Sequence, residues 1–381
     1  MKLRITLLTT LLIMSACLAM GQIKIATESG DLNITFKART HFDAGVYGGD
    51  LGKSNDHATN VVRMNDTRIG FIANFGEAWS SKVEVKFTGS STTFTDLYFG
   101  YKASDKSSLQ LGNFWMPFGY ETLGPAYRFI QNSSIDKAVD GISRKMGLAY
   151  NYNSDPLKIT VGIFSDGNVN NISTNQGYNI AAKVIARPIL NDKQVLHFGV
   201  APLFTHTPNT ATFNTYSLTQ SNSMVLMGKS FTGDEQYSIF RAEAEAIFIS
   251  GKLYAECRYQ HAHINTPGDE NSEVGGFYVQ GGFLLIGDQQ NYSKANGYAT
   301  NVSAKNLELC ARFGHAAYDQ GKDWQTTEND ITIGLNYGIN KYLLARLNYT
   351  HGQAHAKNEI IDKGLENHNY NAVEARLQFV F

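Results

Sequence analysis

The chain is 381 residues long and carries 33 basic and 34 acidic side chains, so its formal charge of −1 leaves no basic footprint for nucleic acid. Glycine (35 residues) far outnumbers proline (7), and aromatic residues make up 12%, a composition that favours strands and turns. Beyond residue 21, no apolar run approaches the roughly 20 residues that a membrane-spanning helix needs. Composition therefore argues against a nucleic-acid-binding protein and against a helical membrane protein.

The N-terminus has the layout of a secretory signal. Lys2 and Arg4 precede an apolar run over residues 5–20, and the small residues Ala19 and Gly21 stand at the two positions that a signal peptidase reads before its cut. We therefore expect a signal peptide at residues 1–21 and a mature domain at residues 22–381. Acylation of Cys17 is the alternative, although only a short motif supports it.

Polar and apolar residues alternate with a period of two along the mature chain, which predicts strands with one polar and one apolar face. Lys82, Glu84 and Lys86 share one face of their segment, opposite two valines and a phenylalanine. The same pattern returns at residues 253–260, 307–313 and 343–349. Such alternation fits a soluble sandwich with charge outside, and it fits equally a membrane barrel with charge in the lumen.

The connections between these segments alternate between short and long, which is typical of a membrane barrel with tight inner turns and long outer loops. The short ones lie at residues 75–79, 103–106, 153–156, 250–251 and 338–341, and the long ones at residues 48–60, 165–177, 206–236, 319–328 and 354–368. Residues 287–305 form either one long inner connection or a concealed strand pair. The sequence thus predicts an all-β fold, a transmembrane antiparallel barrel of about sixteen strands, wide enough for an aqueous channel.

Residues 113–143 interrupt the strand rhythm and are too apolar for a solvated loop. We expect this segment to pack inside the barrel, with residues 115–143 as a constriction loop.

Other constellations predict little further chemistry. Cys257 and Cys310 fall on opposite strand faces, so we expect no disulfide. His261 and His263 share a face without an evident third ligand, so we expect no metal site. No Gly-x-Ser-x-Gly elbow is present, which argues against an enzyme, and no motif calls for a cofactor.

The segment Gly112 to Glu121 resembles the Gly-x-Phe-x-x-Pro-Phe-Gly-x-Glu pattern of the phosphate-selective porins. Weaker similarity extends over residues 95–101, 162–167, 333–337 and 346–349, and the terminal Phe381 resembles the last residue of outer-membrane barrels. The resemblance implies a bacterial outer-membrane protein in contact with lipid. It also implies a homotrimer of sixteen-stranded barrels, each narrowed by its third outer loop, with basic side chains along an anion path.

Eight residues are candidates for lining the channel. They are the basic residues Arg128, Lys137, Arg144 and Lys145 of the loop and its flank, Arg39 and Arg68 of the wall, and the aromatic residues Trp115 and Tyr127. The four basic residues of the loop oppose three acidic ones, Glu121, Asp136 and Asp140, so we expect a mild preference for small anions or phosphate. A sugar channel with an aromatic slide is the alternative, and a barrel enzyme is a weaker one. Mixed charges along the strands predict cross-strand ion pairs.

Overall fold

The structure, a computed structural model, describes residues 24–27, 30–49, 60–88, 91–119, 128–135, 139, 143–171, 177–207, 211–219, 225–233, 237–265, 271–319, 325–357 and 367–381. The predicted signal peptide, Cys17, Tyr127 and Lys137 lie outside these residues. No helix in the described part of the chain is long and apolar enough to cross a membrane.

Strands dominate the described residues. In chain order they are β1 (Lys24–Ala26), β2 (Leu32–Gly49), β3 (Asn60–Phe75), β4 (Trp79–Thr88), β5 (Ser91–Lys102), β6 (Ser107–Trp115), β7 (Arg144–Asn153), β8 (Leu157–Ser165), β9 (Tyr178–Leu190), β10 (Gln194–Thr207), β11 (Ala211–Thr219), β12 (Val225–Gly233), β13 (Tyr237–Ser250), β14 (Leu253–Asn265), β15 (Ser272–Ile286), β16 (Tyr292–Ser293), β17 (Tyr298–Ala299), β18 (Leu307–Asp319), β19 (Gln325–Gly338), β20 (Leu343–Lys357) and β21 (Asn367–Val380).

Within the described residues, sixteen of these strands form one antiparallel barrel. They are β2 to β10, β13 to β15 and β18 to β21, and each pairs with the next. The last strand, β21, pairs with β2 and closes the barrel. The prediction of an all-β antiparallel barrel with about sixteen strands is confirmed.

Two further hairpins and one short strand complete the sheet structure. The hairpins β11–β12 and β16–β17 stand apart from the barrel, and β1 pairs with the first part of β2. The second hairpin resolves the choice that the sequence left open for residues 287–305. They form one long connection between β15 and β18, on the side of the short turns, and the hairpin inside it adds no barrel strand.

Polar side chains face the lumen and apolar side chains face outward. In β14, Glu256, Arg258 and Gln260 are buried, whereas Tyr259 between them is 49% exposed. Each of the sixteen strands exposes at least one large apolar side chain in this way. A soluble sandwich would bury those side chains, so the alternation belongs to a membrane barrel with a polar lumen.

The two cysteines illustrate the same alternation. Cys257 is exposed on the outward face of β14, and Cys310 is buried on the lumen side of β18. The prediction that they point to opposite faces is confirmed.

The seam between the first and last barrel strands is closed by backbone and side-chain contacts. The backbone amide nitrogens of Ala38 and Phe381 each donate to the other residue's carbonyl oxygen at 3.0 Å. Within the lumen, the Arg376 guanidinium binds both carboxylate oxygens of Asp43, at 2.6 and 2.7 Å. Such a two-pronged pair fixes the register of two strands. Residue 381 therefore takes part in closing the barrel against β2.

Candidate functional site

The described part of the predicted constriction loop runs inside the barrel. Residues 128–135 are all buried, as is Val139. They lie against the lumen side of β18, β19 and β20, because polar groups of these strands bind the loop. Ile130 N donates to Asn348 Oδ1 at 2.6 Å, and Arg312 Nη2 donates to the carbonyl oxygen of Gln131 at 3.0 Å. The loop thus occupies one side of the lumen.

Arg128 fixes the start of this buried stretch. Its guanidinium carbon lies 3.7 Å from the centre of the Tyr254 ring, and it forms an ion pair with Glu308. It also donates to Gln290 Oε1 at 3.3 Å and to the carbonyl oxygen of Thr300 at 3.4 Å. With 3% of its surface exposed, Arg128 is a clamp and does not face an open path, which corrects the role expected from the sequence.

Gly314 gives the loop room to approach β18. A Cβ atom at this position would stand 2.4 Å from Asp330 Oδ2 and 2.9 Å from Ser134 Oγ. Neither distance leaves space for a carbon atom. A methyl group at this position would therefore force the Asp330 and Ser134 side chains to shift where the loop meets the wall.

A second segment enters the lumen from the side of the short turns. We name residues 287–306 the inner hairpin, since they contain β16 and β17. Its tip reaches across to β7, β8 and β9. Lys158 Nζ donates to the carbonyl oxygens of Ala295 and Asn296, at 2.6 and 3.1 Å, and Arg187 Nη1 donates to that of Lys294 at 2.7 Å.

Tyr292 supports the base of the inner hairpin. Its hydroxyl lies 2.9 Å from His197 Nδ1, and His197 Nε2 lies 3.2 Å from Glu245 Oε1. Burial raises the pKa of Tyr292 to about 12. The hydroxyl therefore stays protonated and can donate to His197, which leaves the other ring nitrogen to donate to the carboxylate.

The constriction loop and the inner hairpin touch each other, because Arg128 of the loop binds Gln290 and Thr300 of the hairpin. Together, their described residues reach from the β18–β20 side of the lumen to the β7–β9 side. Among the described residues, an open space lies along the wall from β2 to β9. This space consists of two adjoining cavities of about 420 and 300 Å³, which share Asp96, Arg144 and Tyr298 among their lining residues. We call it the open path.

An alternating row of charges runs along this wall. Asp66 binds Arg39 at 2.5 Å and Arg68 at 2.7 Å, and every further member of the row also contacts residues of opposite sign. The row confirms the expected cross-strand ion pairs, and it arranges four bases and three acids in a fixed order. We name it the charge row; its members are Arg39, Asp66, Arg68, Glu84, Lys82, Asp96 and Arg144.

Four of the eight residues predicted from the sequence line the open path. Arg39 and Arg68 line the larger cavity, Trp115 lines the smaller one, and Arg144 lines both. Trp115 ends β6 and Arg144 begins β7, so both flank the loop. The Arg144 guanidinium lies 5.3 Å from the centre of the Trp115 ring. Lys145 points elsewhere, since its amino group donates to the carbonyl oxygen of Asp166.

Sequence reasoning missed four basic residues of the open path. Lys37 and Lys82 line the larger cavity, and Lys158 and Lys183 line the smaller one. All four lie on barrel strands. The period-two pattern already placed Lys82 on a polar face, and the same rule applied to β2, β8 and β9 would have pointed to the others. No group of three or more metal-binding side chains is arranged for a metal ion within the described ranges.

Comparison with known proteins supports the architecture. No curated protein matches the chain. Among solved structures, the chain is similar to OmpT of Vibrio cholerae in its trimer form, at a TM-score of 0.63 and 11% identity over 92% of this chain and 99% of that one. It is also similar to the outer membrane channel DcaP of Acinetobacter baumannii, at a TM-score of 0.63 and 14% identity over 94% of this chain and 99% of that one.

A third similar structure is the anion-selective porin from Comamonas acidovorans, with a TM-score of 0.57 and 13% identity over 92% of this chain and 100% of that one. At such identities the likeness concerns the fold. A sequence profile of the family described as phosphate-selective porin O and P matches residues 34–381. The chain therefore belongs to the phosphate-selective porin O and P family and is an outer-membrane porin.

Proposed function

We propose that this porin is a passive channel with a preference for small anions, phosphate included, and that these anions cross along the open path. One observation carries the proposal, namely the excess of basic side chains there. Seven basic side chains line the two cavities and two acidic ones accompany them: Lys37, Arg39, Arg68, Lys82, Arg144, Lys158 and Lys183, against Glu84 and Asp96.

Such an excess favours anions through simple electrostatics. A unit charge at about 6 Å in water contributes roughly 0.7 kcal/mol, which is about a threefold change in the local concentration of an ion. Several bases along a narrow path act together, and guanidinium groups also bind phosphate oxygens in pairs. The loop alone, with its nearly balanced charges, suggested a weak preference. The strand residues that share the path make the preference stronger.

Reversal potentials in planar bilayers under a potassium chloride gradient test the proposal. We expect the wild-type channel to favour chloride, and Arg144→Gln to lower the anion-to-cation permeability ratio about threefold. Lys145→Gln is the matched control, because it removes the same charge from the next residue, outside the open path. A cation preference in the wild type, or equal effects of both substitutions, would refute the proposal.

The aromatic residues of the open path allow the anion channel to be tested against a sugar channel. Trp115 and Tyr98 line the smaller cavity, and Trp115 carries Arg144 over its ring. Because the Arg144 guanidinium lies over the Trp115 ring, this ring holds a cation of the open path and is not free to stack on a neutral sugar. Swelling of liposomes in neutral sugars is expected to be unchanged by Trp115→Ala. A large loss of sugar flux in this variant would favour the sugar channel with an aromatic slide.

We also propose that three copies assemble and that residues 1–21 are removed on export. The trimer is supported by the trimer form of the similar OmpT structure and by the uneven barrel wall. Strands β4 to β8 have 9 to 12 residues, whereas β9 and β10 have 13 and 14. Light scattering of the detergent-solubilised protein is expected to give three chains, and N-terminal sequencing is expected to begin at Gln22.

A further inference from the structure

Outward-facing histidines occur in the same sequence pattern on four strands of the barrel. On β10, β14, β18 and β20, an outward aromatic residue is followed two positions later by an outward histidine. These four strands all run from the short turns toward the long outer loops. The pairs are Phe204 with His206, Tyr259 with His261, Phe313 with His315, and Tyr349 with His351.

Two more histidines extend the same surface. His263 lies two residues beyond His261, and His355 lies four residues beyond His351, both on the outward face. We call the six residues the histidine band. Within the described residues, the strands from β2 to β9 carry no outward-facing histidine. The band therefore covers only the part of the circumference from β10 to β20.

The position of the band places it at the height of lipid headgroups. Aromatic residues on the outside of membrane barrels mark the two interfaces between acyl chains and headgroups. Tyr259, Phe313 and Tyr349 are 39 to 49% exposed on the outward face, and the histidines lie one step closer to the outer loops. In an outer membrane, these two residues along the strand lead from the acyl chains of the outer leaflet to its polar groups.

Three rings of the band share one kind of contact, made through Nδ1. The Nδ1 atoms of His263, His315 and His351 lie 2.5, 2.9 and 3.0 Å from side-chain oxygens of Glu273, Asn329 and Asn371. Since these oxygens accept, each Nδ1 carries the hydrogen. For these three rings no hydrogen bond to Nε2 occurs in the described part of the chain. In the neutral ring that nitrogen is an acceptor, and protonation makes it a charged donor.

We propose that the histidine band binds the phosphate groups of outer-leaflet lipids, and binds them more tightly as its imidazoles take up protons. A phosphate oxygen accepts hydrogen bonds and cannot bind a ring nitrogen that itself accepts. Once protonated, Nε2 offers a charge-assisted hydrogen bond toward the lipid, which is roughly twice as strong as a neutral one. Imidazole is the side chain that gains its charge between pH 8 and pH 5.

Other charges on this surface determine whether it attracts or repels phosphate as the rings take up protons. Glu273 on β15 lies between the rings of His261 and His263, at 2.6 and 2.5 Å, and Asp319 on β18 is exposed. The outward residues of β13, β19 and β21 beside the band are uncharged, among them Ser238, Thr327 and Asn371. Among the described side chains of this surface, two carboxylates thus oppose six imidazoles. The surface is acidic while the rings are neutral and becomes basic once they are protonated.

Native mass spectrometry of the purified protein in nonionic detergent tests the proposal. The probes are dioleoylphosphatidylglycerol, whose phosphate keeps its charge across this range, and dioleoylglycerol, which has the same chains without the phosphate. For the first lipid we expect affinity to rise about tenfold between about pH 8 and about pH 5.5. For the second we expect no change.

The variant H263Q/H315Q/H351Q is expected to reduce that rise to about twofold. T327A/Q353A is the matched control, because it alters two uncharged side chains on the same outward face, and it is expected to keep the rise. Heat-modifiable migration in gels and unchanged ion conductance establish that each variant folds and conducts. An equal rise in the histidine variant, or equal binding of dioleoylglycerol, would overturn the proposal and leave the channel function untouched.

Discussion

The Arg128 guanidinium is stacked on the Tyr254 ring, with 3.7 Å between the guanidinium carbon and the ring centre. Because Arg128 also binds Glu308 and two residues of the inner hairpin, it connects the constriction loop to both the wall and the hairpin. Removing one partner of a buried ion pair costs about 3–5 kcal/mol. We expect Arg128→Ala to loosen both segments.

Single-channel recording measures this effect. Arg128→Ala is expected to raise the open conductance and its noise, and Arg128→Lys, which keeps the charge next to Glu308, is expected to raise them less. A smaller conductance in Arg128→Ala, with the barrel still folded, would contradict the role of a clamp.

Asp96 is an acidic member of the charge row and binds both Lys82 and Arg144. Replacing it with asparagine removes a negative charge from the open path while keeping the size of the side chain. We expect Asp96→Asn to raise the anion-to-cation permeability ratio about threefold, in the direction opposite to Arg144→Gln. Reversal potentials at low salt check this, because screening is weak there. A fall in the ratio would show that Asp96 matters mainly for holding Arg144 in place.

Gly314 meets the constriction loop where a Cβ atom would lie 2.4 Å from Asp330 and 2.9 Å from Ser134. We expect Gly314→Ala to push the loop into the lumen and to change the conductance. Gly48→Ala is its control, since nothing lies within 4 Å of a Cβ atom there. Overpacking of this kind typically costs 1–3 kcal/mol, which thermal unfolding monitored by circular dichroism measures as a lower Tm. Equal Tm values for both variants would argue against close contact between loop and wall.

The inner hairpin offers a comparison of a buried and an exposed anchor. Arg187 is 2% exposed and binds Lys294 O and Asn153 Oδ1, each at 2.7 Å, whereas the Lys294 side chain forms an exposed ion pair with Asp155. Exposed pairs contribute about 0–1 kcal/mol. We therefore expect Arg187→Met to increase conductance noise and Lys294→Gln to leave it unchanged. If Lys294→Gln increased the noise and Arg187→Met did not, the exposed ion pair would be the contact that holds the inner hairpin.

Much of the fold was predictable from the sequence, because the period of two is imposed by the strand itself. Each lumen residue such as Glu256 alternates with an outward residue such as Cys257, so the pattern is visible in every strand. The alternating short and long connections then gave the strand number. A closed barrel leaves few other arrangements for such a pattern.

The solute path was harder to predict. Arg39, Arg68 and Arg144 are distant in the sequence, and only barrel closure and the two inward segments bring them to one open space. Arg128 looked equivalent to them, yet its role depends on Tyr254 and Glu308, which lie more than a hundred residues away. The inner hairpin has no periodic signal of its own. Contacts of this kind follow from tertiary packing, which local patterns do not encode.

The seam between β2 and β21 affects how the chain reaches its folded state. Ala38 and Phe381 exchange backbone hydrogen bonds although nearly all of the barrel sequence lies between them. Contacts between residues so far apart in sequence form slowly, because a long loop must close first. Until the last strand is in place, β2 and β21 each present an unpaired edge that can pair with another chain. Barrel closure therefore has to wait until β21 is available to pair with β2.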